Sequence, residues 1–191
     1  MRVCSFSFLY LVASHSCLLV AGPNWRPKAI ALGGKRQFPL LVDPNSQKDG
    51  SPLLVYESAD IITYLATLYG DSNPPGSLLS GFAPLLLGLS LMPRLGRGGR
   101  YRASRVTPST QPLIYWGYEA SPFCKIVREV LGELEIPHVW KTTARGSPTR
   151  DELFAKTGRF QVPYIEDPNT GVSTFESAAI VKYLEQVYAI V

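Results

Sequence analysis

Apolar residues recur every three or four positions after Ser121, and this spacing predicts an amphipathic helix that runs to about Glu135. Pro122 supports the prediction, because serine caps helices well and proline is favoured at the first helical position. A short apolar and aromatic run, Leu113 to Tyr118, predicts a strand before this helix, and Pro137 to Thr142 predicts a second strand after it. The apolar positions of the helix are Phe123, Ile126, Val127, Val130, Leu131 and Leu134.

The pattern continues with a shorter helix, a hairpin and a last helix. Ser147-Pro148 opens the shorter helix, and Gly158 ends it. Two strands, 163–166 and 172–175, flank a turn of polar residues and predict a hairpin. The apolar face of the last helix consists of Ile180, Val181, Leu184, Val187 and Tyr188. The resulting order of strand, helix, strand, helix, strand, strand, helix predicts an α/β domain.

A large part of this pattern occurs twice, because residues 161–188 repeat residues 37–69 apart from a longer loop in the first copy. Before the loop, Gln37, Pro39, Asp43, Pro44 and Asn45 recur as Gln161, Pro163, Asp167, Pro168 and Asn169. After the loop, Glu57, Ser58, Ala59, Ile61, Tyr64, Leu65 and Tyr69 recur as Glu176, Ser177, Ala178, Ile180, Tyr183, Leu184 and Tyr188. The first copy has no counterpart of residues 113–142, so the sequence predicts one truncated copy and one complete domain.

Four regions follow from the repeat: an N-terminal segment (1–25), the truncated copy (26–71), a connecting stretch (72–112) and the complete domain (113–191). The connecting stretch begins with the apolar residues Leu78 to Met92. These are fewer than the ~20 residues that a transmembrane helix needs, so no membrane span is predicted. The two copies are expected to pack on each other or to mediate self-association.

The formal net charge of +4 comes from one basic segment of the connecting stretch. Its arginines are Arg94, Arg97, Arg100, Arg102 and Arg105. Arginines in an RNA-binding tail neutralise phosphates, but this segment has neither a long repeat nor aromatic residues arranged for stacking. A solvated linker over Arg94 to Pro112 is therefore predicted, without a nucleic-acid partner.

The cysteines indicate neither a disulfide scaffold nor a zinc site, because Cys4, Cys17 and Cys124 lack the spacing of either. No metal is predicted, and a reducing compartment such as the cytoplasm is the default. Residues 1–22 disagree with that default, since Arg2 followed by apolar residues is typical of a secretory signal. Alternatively, this segment is translated sequence that does not belong to the fold.

Three short motifs of the complete domain resemble the N-terminal, thioredoxin-like domain of glutathione transferases. They are Ser121-Pro122-Phe123-Cys124, Val162-Pro163 and Glu176-Ser177, combined with the hairpin spacing. The first motif is similar to the serine motif of plant tau-class enzymes. The tandem arrangement resembles a plant and algal plastid family of paired domains, in which both copies are complete. The resemblance implies glutathione as substrate and partner, and a plastid location.

The resemblance also implies a role for each motif. Ser121, at the start of a helix, would stabilise the glutathione thiolate. A cis bond at Val162-Pro163 would turn the Val162 backbone toward the cysteinyl part of the tripeptide. Glu176 would pair with its amine, and the helix start at Ser177 would bind its γ-glutamyl carboxylate. Each motif also has a purely structural interpretation. Ser121 and Glu176-Ser177 would then only cap their helices, and Pro163 would only begin a strand.

Two other functions stay open from the sequence. In thiol oxidoreductases of this fold the nucleophilic cysteine occupies the position of Ser121, whereas here only the second cysteine, Cys124, is present. A monothiol reaction at Cys124 is one alternative, although that position usually faces inward. A non-catalytic interaction module is the other. Whether the protein is an enzyme stays open, since glutathione transferases add a helical domain that builds the electrophile site.

Overall fold

The computed structural model describes residues 23–24, 26–48, 50–70 and 100–190, which fall into two compact units. Residues 1–22, with the signal-like pattern, and the apolar stretch Leu78 to Met92 lie outside the described residues. No helix in the described ranges is both long and apolar enough to cross a membrane.

The first unit has the order helix, strand, strand, helix. Its elements are α1 (Arg26–Gly33), β1 (Leu40–Lys48), β2 (Ser51–Tyr56) and α2 (Ser58–Tyr69). The strands pair antiparallel, and their register shifts between Asp43 and Gln47, where the first copy carries its longer loop. Its buried apolar residues are Ala29, Leu40, Leu41, Val42 and Ile61.

Over its described residues, the second unit consists of seven elements: four strands, which form one sheet, and three helices. They are β3 (Leu113–Gly117), α3 (Pro122–Glu133), β4 (His138–Thr142), α4 (Pro148–Thr157), β5 (Tyr164–Asp167), β6 (Val172–Phe175) and α5 (Ser177–Tyr188). The strand order is β4-β3-β5-β6. β3 runs parallel to β4 and antiparallel to β5, and β5 and β6 form a hairpin. This is the predicted thioredoxin-like α/β fold, so the fold prediction is confirmed.

The alternating side chains of β3 divide the core between the two faces of the sheet. Leu113 and Tyr115 are buried with apolar residues of α3 and α5 on one face. Trp116 is buried on the other face, with Leu153 of α4 and Tyr164 of β5. The central strand is thus covered on both sides, which holds its carboxyl end in place for the loop that follows.

Helix α3 ends close to the predicted position but is less completely buried than the pattern predicts. Its last residue is Glu133, because Leu134 forms the C-cap and Glu135 takes a positive φ of 50° that no α-helix continues. Phe123 and Ile126, two predicted members of its apolar face, are 59% and 41% exposed. Only the positions that face the sheet and α5 are covered.

The predicted solvated linker is wrong over residues 102–106, which pack on the second unit. The amides of Arg102 and Arg105 donate to Glu133 O and Tyr188 O, each at 2.8 Å. Ser104 forms an antiparallel bridge with Ala189. Val106 packs against the larger core cluster, which contains Leu113 and Tyr188. The second unit therefore includes residues ahead of the boundary predicted at Leu113.

Candidate functional site

Three predicted site segments meet at one end of the sheet of the second unit. Trp116 pairs with Tyr164, and Tyr164 pairs with Phe175. The next residues beyond these pairs, at the same end of the sheet, are Gly117, Pro163 and Glu176. The loop to α3, which carries Ser121, follows the first of these strand ends.

Ser121 is the N-cap of α3, as its structural interpretation predicts. Its backbone is extended, with φ −82° and ψ 122°, and its Oγ accepts a hydrogen bond from Cys124 N at 3.3 Å. Pro122 occupies the first turn. The residue is 4% exposed, so the hydroxyl lies just beneath the surface at the positive end of the helix dipole.

The loop before Ser121 is tied to α3 and to β4 through Arg128. The guanidinium of Arg128 forms an ion pair with Glu119 and lies 4.3 Å from the ring centroid of Trp140. Trp140 Nε1 in turn donates to Gly117 O at 3.2 Å. These contacts fix the turn that positions the serine.

Cys124 lies in the first turn of α3 and is buried in the core, at 0% exposure. Tyr115 Oη donates to its backbone oxygen at 3.0 Å. Its sulfur faces the sheet, 3.1 Å from the position that a Cβ on Gly117 would occupy. This inward orientation agrees with the expectation for this position, and it removes the thiol from water and from solutes.

Burial predicts that Cys124 is unreactive in the folded protein. Alkylation by iodoacetamide, followed site by site with mass spectrometry, is expected to be at least about a hundredfold slower than in the chain unfolded by guanidinium, because the thiol must first be exposed by opening. Alkylation at the unfolded rate would contradict this expectation and would favour the monothiol alternative.

The bond between Val162 and Pro163 is cis, as the resemblance implies. Pro163 is buried directly before β5, while Val162 is half-buried and packs against both core clusters. Val162 precedes Tyr164, the first residue of β5 in the ladder with β3. Its main-chain groups thus lie at the open end of that ladder.

Glu176 and Ser177 form the start of α5. Glu176 has φ 68° and ψ 122°, a left-handed backbone region that an L-residue with a long side chain rarely adopts. The first intrahelical bond runs from Ile180 N to Glu176 O. The amides of the first turn, beginning with Ser177 N, therefore precede the hydrogen-bond ladder of the helix and are suited to an anion.

Gln161 joins the Val162-Pro163 and Glu176-Ser177 segments, and it was not among the predicted site residues. Its Nε2 donates to Glu176 Oε1 across the end of the sheet. The recurrence of Gln37 and Glu57 as Gln161 and Glu176 marks both residues in the sequence, but it does not show that their side chains are bonded. Within the described residues no group of His, Cys, Asp and Glu side chains is arranged to hold a metal ion.

The first unit carries the same local features at the equivalent residues. Phe38-Pro39 is cis, and Glu57 has φ 66°. Gln37 Nε2 donates to Glu57 Oε1, and the helix α2 starts at Ser58. A counterpart of Ser121 is absent from the described residues of this unit. It thus keeps the local form of the Gln161–Ser177 region without the serine loop.

Comparison with known proteins finds a family match within the second unit. Residues 116–189 match the family model of the glutathione S-transferase N-terminal domain. This match covers less than half of the chain and includes Ser121, Val162, Pro163 and the Glu176-Ser177 helix start.

Three proteins are similar to part of this chain. The glutathione S-transferase-like protein tpcF of Aspergillus fumigatus is 32% identical over 81 residues, which are 42% of this chain and 36% of that protein. A glutathione transferase homologue from Drosophila mojavensis, solved with bound glutathione, is 27% identical and covers 39% of this chain and 34% of its own, with a TM-score of 0.35. A glutathione S-transferase from the Antarctic clam Laternula elliptica is 30% identical and covers 40% and 35%, with a TM-score of 0.34. The chain spans about a third of the length of these relatives.

Proposed function

We propose that the second unit binds reduced glutathione as a substrate and favours its thiolate form. The observation that carries the proposal is the Gln161–Glu176 hydrogen bond, which links the strand that begins at Pro163 to the start of α5. It places a carboxylate, a helix N-terminus and a free stretch of main chain side by side. A γ-glutamyl tripeptide has the complementary groups: an amine, a carboxylate and an extended backbone.

Each group of the site has one part of the tripeptide to bind. Glu176 carries the negative charge that pairs with the γ-glutamyl amine. The amides at the start of α5, from Ser177 on, receive the γ-glutamyl carboxylate. The main chain of Val162 pairs with the cysteinyl residue, as a strand edge pairs with an extended peptide. This arrangement leaves the cysteinyl sulfur on the side of Gly117 and α3.

The hydroxyl of Ser121 can accept one hydrogen bond and donate another at the same time. The oxygen accepts from Cys124 N in the helix cap, while the O–H hydrogen stays available to donate to a sulfur anion. Donation to the thiolate, together with the helix dipole, stabilises the charged form and lowers the thiol pKa. The thiol proton then passes to solvent.

Calorimetric titration of the full chain with glutathione tests the peptide site. Glu176→Ala is expected to weaken binding by about tenfold to a hundredfold, because a charge-assisted hydrogen bond of roughly 1.5–3 kcal/mol is lost. Glu57→Ala, the same change at the equivalent residue of the first unit, is the matched control and is expected to leave this binding unchanged. Equal binding by the wild type and Glu176→Ala would overturn the peptide site.

A second titration separates the role of Ser121 from that of the peptide site. In Ser121→Ala, S-methylglutathione is expected to bind as in the wild type, because it has no thiol. The pKa of bound glutathione, followed by the ultraviolet absorbance of the thiolate, is expected to rise toward that of the free thiol. The lost cap should also lower the free energy of unfolding by about 1 kcal/mol. An unchanged thiol pKa would leave Ser121 as a cap only.

We also propose that the two units descend from one duplicated domain, as in the paired plastid family. The support is the match in their elements and contacts, including the two Gln–Glu pairs and the two glutamates of positive φ. The plastid location is proposed from this resemblance alone. A fluorescent-protein fusion to the chain, expressed in plant or algal cells, tests that location, and a signal outside plastids would contradict it.

A further inference from the structure

A pair of stacked phenylalanines lies on the surface of the second unit, outside the proposed glutathione site. The rings of Phe154 and Phe160 are parallel within 11°, with centroids 4.3 Å apart. Each residue is 45% exposed. The side chain before the first of them, Leu153, is buried and anchors α4 to the sheet, so the stacked pair sits on a fixed element.

The loop after α4 is built to hold this pair together. Gly158 takes the left-handed conformation, with φ 70°, and its amide donates to Phe154 O at 2.7 Å. Thr157 Oγ1 donates to Leu153 O at 2.8 Å. The chain therefore turns back on the helix, and Phe160 returns to the face that carries Phe154. The two rings pack on each other without a partner, and such pre-organisation reduces the entropy cost of binding.

Two arginines, Arg150 and Arg159, lie near the stacked rings in the chain. They contact backbone oxygens and aromatic rings rather than carboxylates. Arg150 precedes Phe154 by one helical turn, and its guanidinium donates to Thr143 O at 3.2 Å and to Phe160 O at 3.4 Å. It also lies 5.5 Å from the ring centroid of Phe160. Arg159 lies 5.6 Å from the ring centroid of Phe175.

The arginines give this surface a net positive charge. The neighbouring lysines, Lys141 and Lys156, form ion pairs with Glu152 and Glu166. No ion pair among the described residues joins Arg150 or Arg159 to an acid, and the nearby exposed carboxylate of Asp151 offsets only one of the two charges. The surface formed by Arg150, Phe154, Arg159 and Phe160, called here the α4 surface, thus presents apolar area with a net positive charge.

We propose that the α4 surface is a docking site for an acidic peptide segment of a partner protein. The stacked rings supply the apolar contact, and arginine and aromatic residues are the types that dominate the energy of protein interfaces. The two guanidinium groups select partners whose apolar residue is flanked by carboxylates. The two rings offer less face for the stacking of nucleic-acid bases than separate rings would, because each covers one face of the other and the Arg150 guanidinium lies over Phe160.

Selection of peptides from a random library displayed on phage, with the immobilised full chain as target, tests the proposal. The selected peptides are expected to combine an aromatic or aliphatic residue with several glutamates or aspartates. A synthetic peptide of the selected sequence should bind at least about tenfold more weakly to Phe160→Ser, a loss typical of an interface anchor. Arg159→Gln should weaken the acidic peptide but not a version with its acids changed to amides.

Phe123→Ser is the matched control, since Phe123 is also an exposed phenylalanine but lies on α3. Its binding of the selected peptide should equal that of the wild type. Thermal unfolding of each variant shows whether the fold is retained. Selection of peptides without acidic residues, or equal binding by Phe160→Ser, would overturn the proposal. So would self-association by sedimentation that Phe160→Ser abolishes, or an RNA oligonucleotide that displaces the peptide.

Discussion

Replacing Asp167 with alanine is expected to lower the free energy of unfolding of the second unit by about 3 kcal/mol, because its hydrogen-bond donors, among them the buried Tyr188 hydroxyl, lose a charged acceptor. Asp167 is 2% exposed at the end of β5. Its Oδ2 accepts from Tyr183 Oη at 2.5 Å and from Tyr188 Oη at 2.6 Å. Its Oδ1 accepts from Asn169 N at 2.8 Å. One carboxylate therefore ties the hairpin turn to the last helix.

The same carboxylate gives the stability a dependence on pH with a definite sign. Burial acts to raise the pKa of Asp167, but the hydrogen bonds from Tyr183, Tyr188 and Asn169 outweigh it and hold the pKa below its ordinary value of 3.8. The stabilisation is thus fully present above about pH 3.8 and is lost as the pH falls through the lowered pKa. Burial and the hydrogen bond to Asp167 also raise the pKa of Tyr183 to about 12.

Chemical unfolding at neutral and acidic pH measures both effects. Asp167→Ala is expected to be less stable at pH 7 and to show less further loss in acid than the wild type. Asp151→Ala, at an exposed aspartate on α4, is the control and should lower the free energy of unfolding by less than about 1 kcal/mol. A pH profile of Asp167→Ala parallel to that of the wild type would mean that other carboxylates cause the acid sensitivity.

Local signals in the sequence were sufficient for most elements of the second unit. The Ser147-Pro148 start of α4 and its Gly158 end follow from helix capping, which depends on a few neighbouring residues. The internal repeat pairs Asp43 with Asp167, and this pairing predicts equivalent surroundings for the two carboxylates. In the structure the two have equivalent contacts, since Asp43 accepts from the hydroxyls of Tyr64 and Tyr69. Recurrence of a whole set of residues predicts a shared local structure.

Contacts between distant segments could not be predicted in the same way. Residues 102–106 have no apolar periodicity, and their Gly/Arg-rich surroundings are typical of a linker. They are ordered by pairing with Ala189 and by contacts of Arg102 with Glu133 and Glu185, and no local pattern encodes such pairing. The Gln161–Glu176 bond was missed for a similar reason, because it depends on the register of β5 and β6.

Gly117 shows how a tertiary contact can require a residue that no motif singles out. A Cβ at this position would lie 2.7 Å from Tyr115 Oη and 3.1 Å from Cys124 Sγ, both closer than ordinary van der Waals contact. Tyr115 is wholly buried, and its hydroxyl donates to Cys124 O. The absence of a side chain at Gly117 therefore allows the start of α3 to approach the end of β3.

Gly117→Ala is expected to lower the free energy of unfolding by about 2 kcal/mol, since extra atoms in a packed core force side chains and backbone apart. Tyr115→Phe removes the nearest atom but keeps the ring carbon Cζ, which lies 2.9 Å from the added Cβ. The double variant should therefore be only partly relieved, and its loss of unfolding free energy should be about 0.5 kcal/mol smaller than the sum of the two single losses. Urea unfolding of the single and double variants measures this coupling. Additive losses would show that the tyrosine hydroxyl is not the obstacle.

Gly146→Ala separates crowding from backbone strain. An added Cβ there meets no atom within 4 Å, but φ is +80°, so its cost is conformational and should not couple to Tyr115. Crowding at Gly117 acts on the start of α3, where Ser121 is the N-cap. The Gly117→Ala variant should therefore raise the pKa of bound glutathione toward that of the free thiol, whereas Gly146→Ala should not. If Gly117→Ala loses stability but the pKa of bound glutathione does not rise, the proposed stabilisation of the thiolate by Ser121 does not depend on the position of α3.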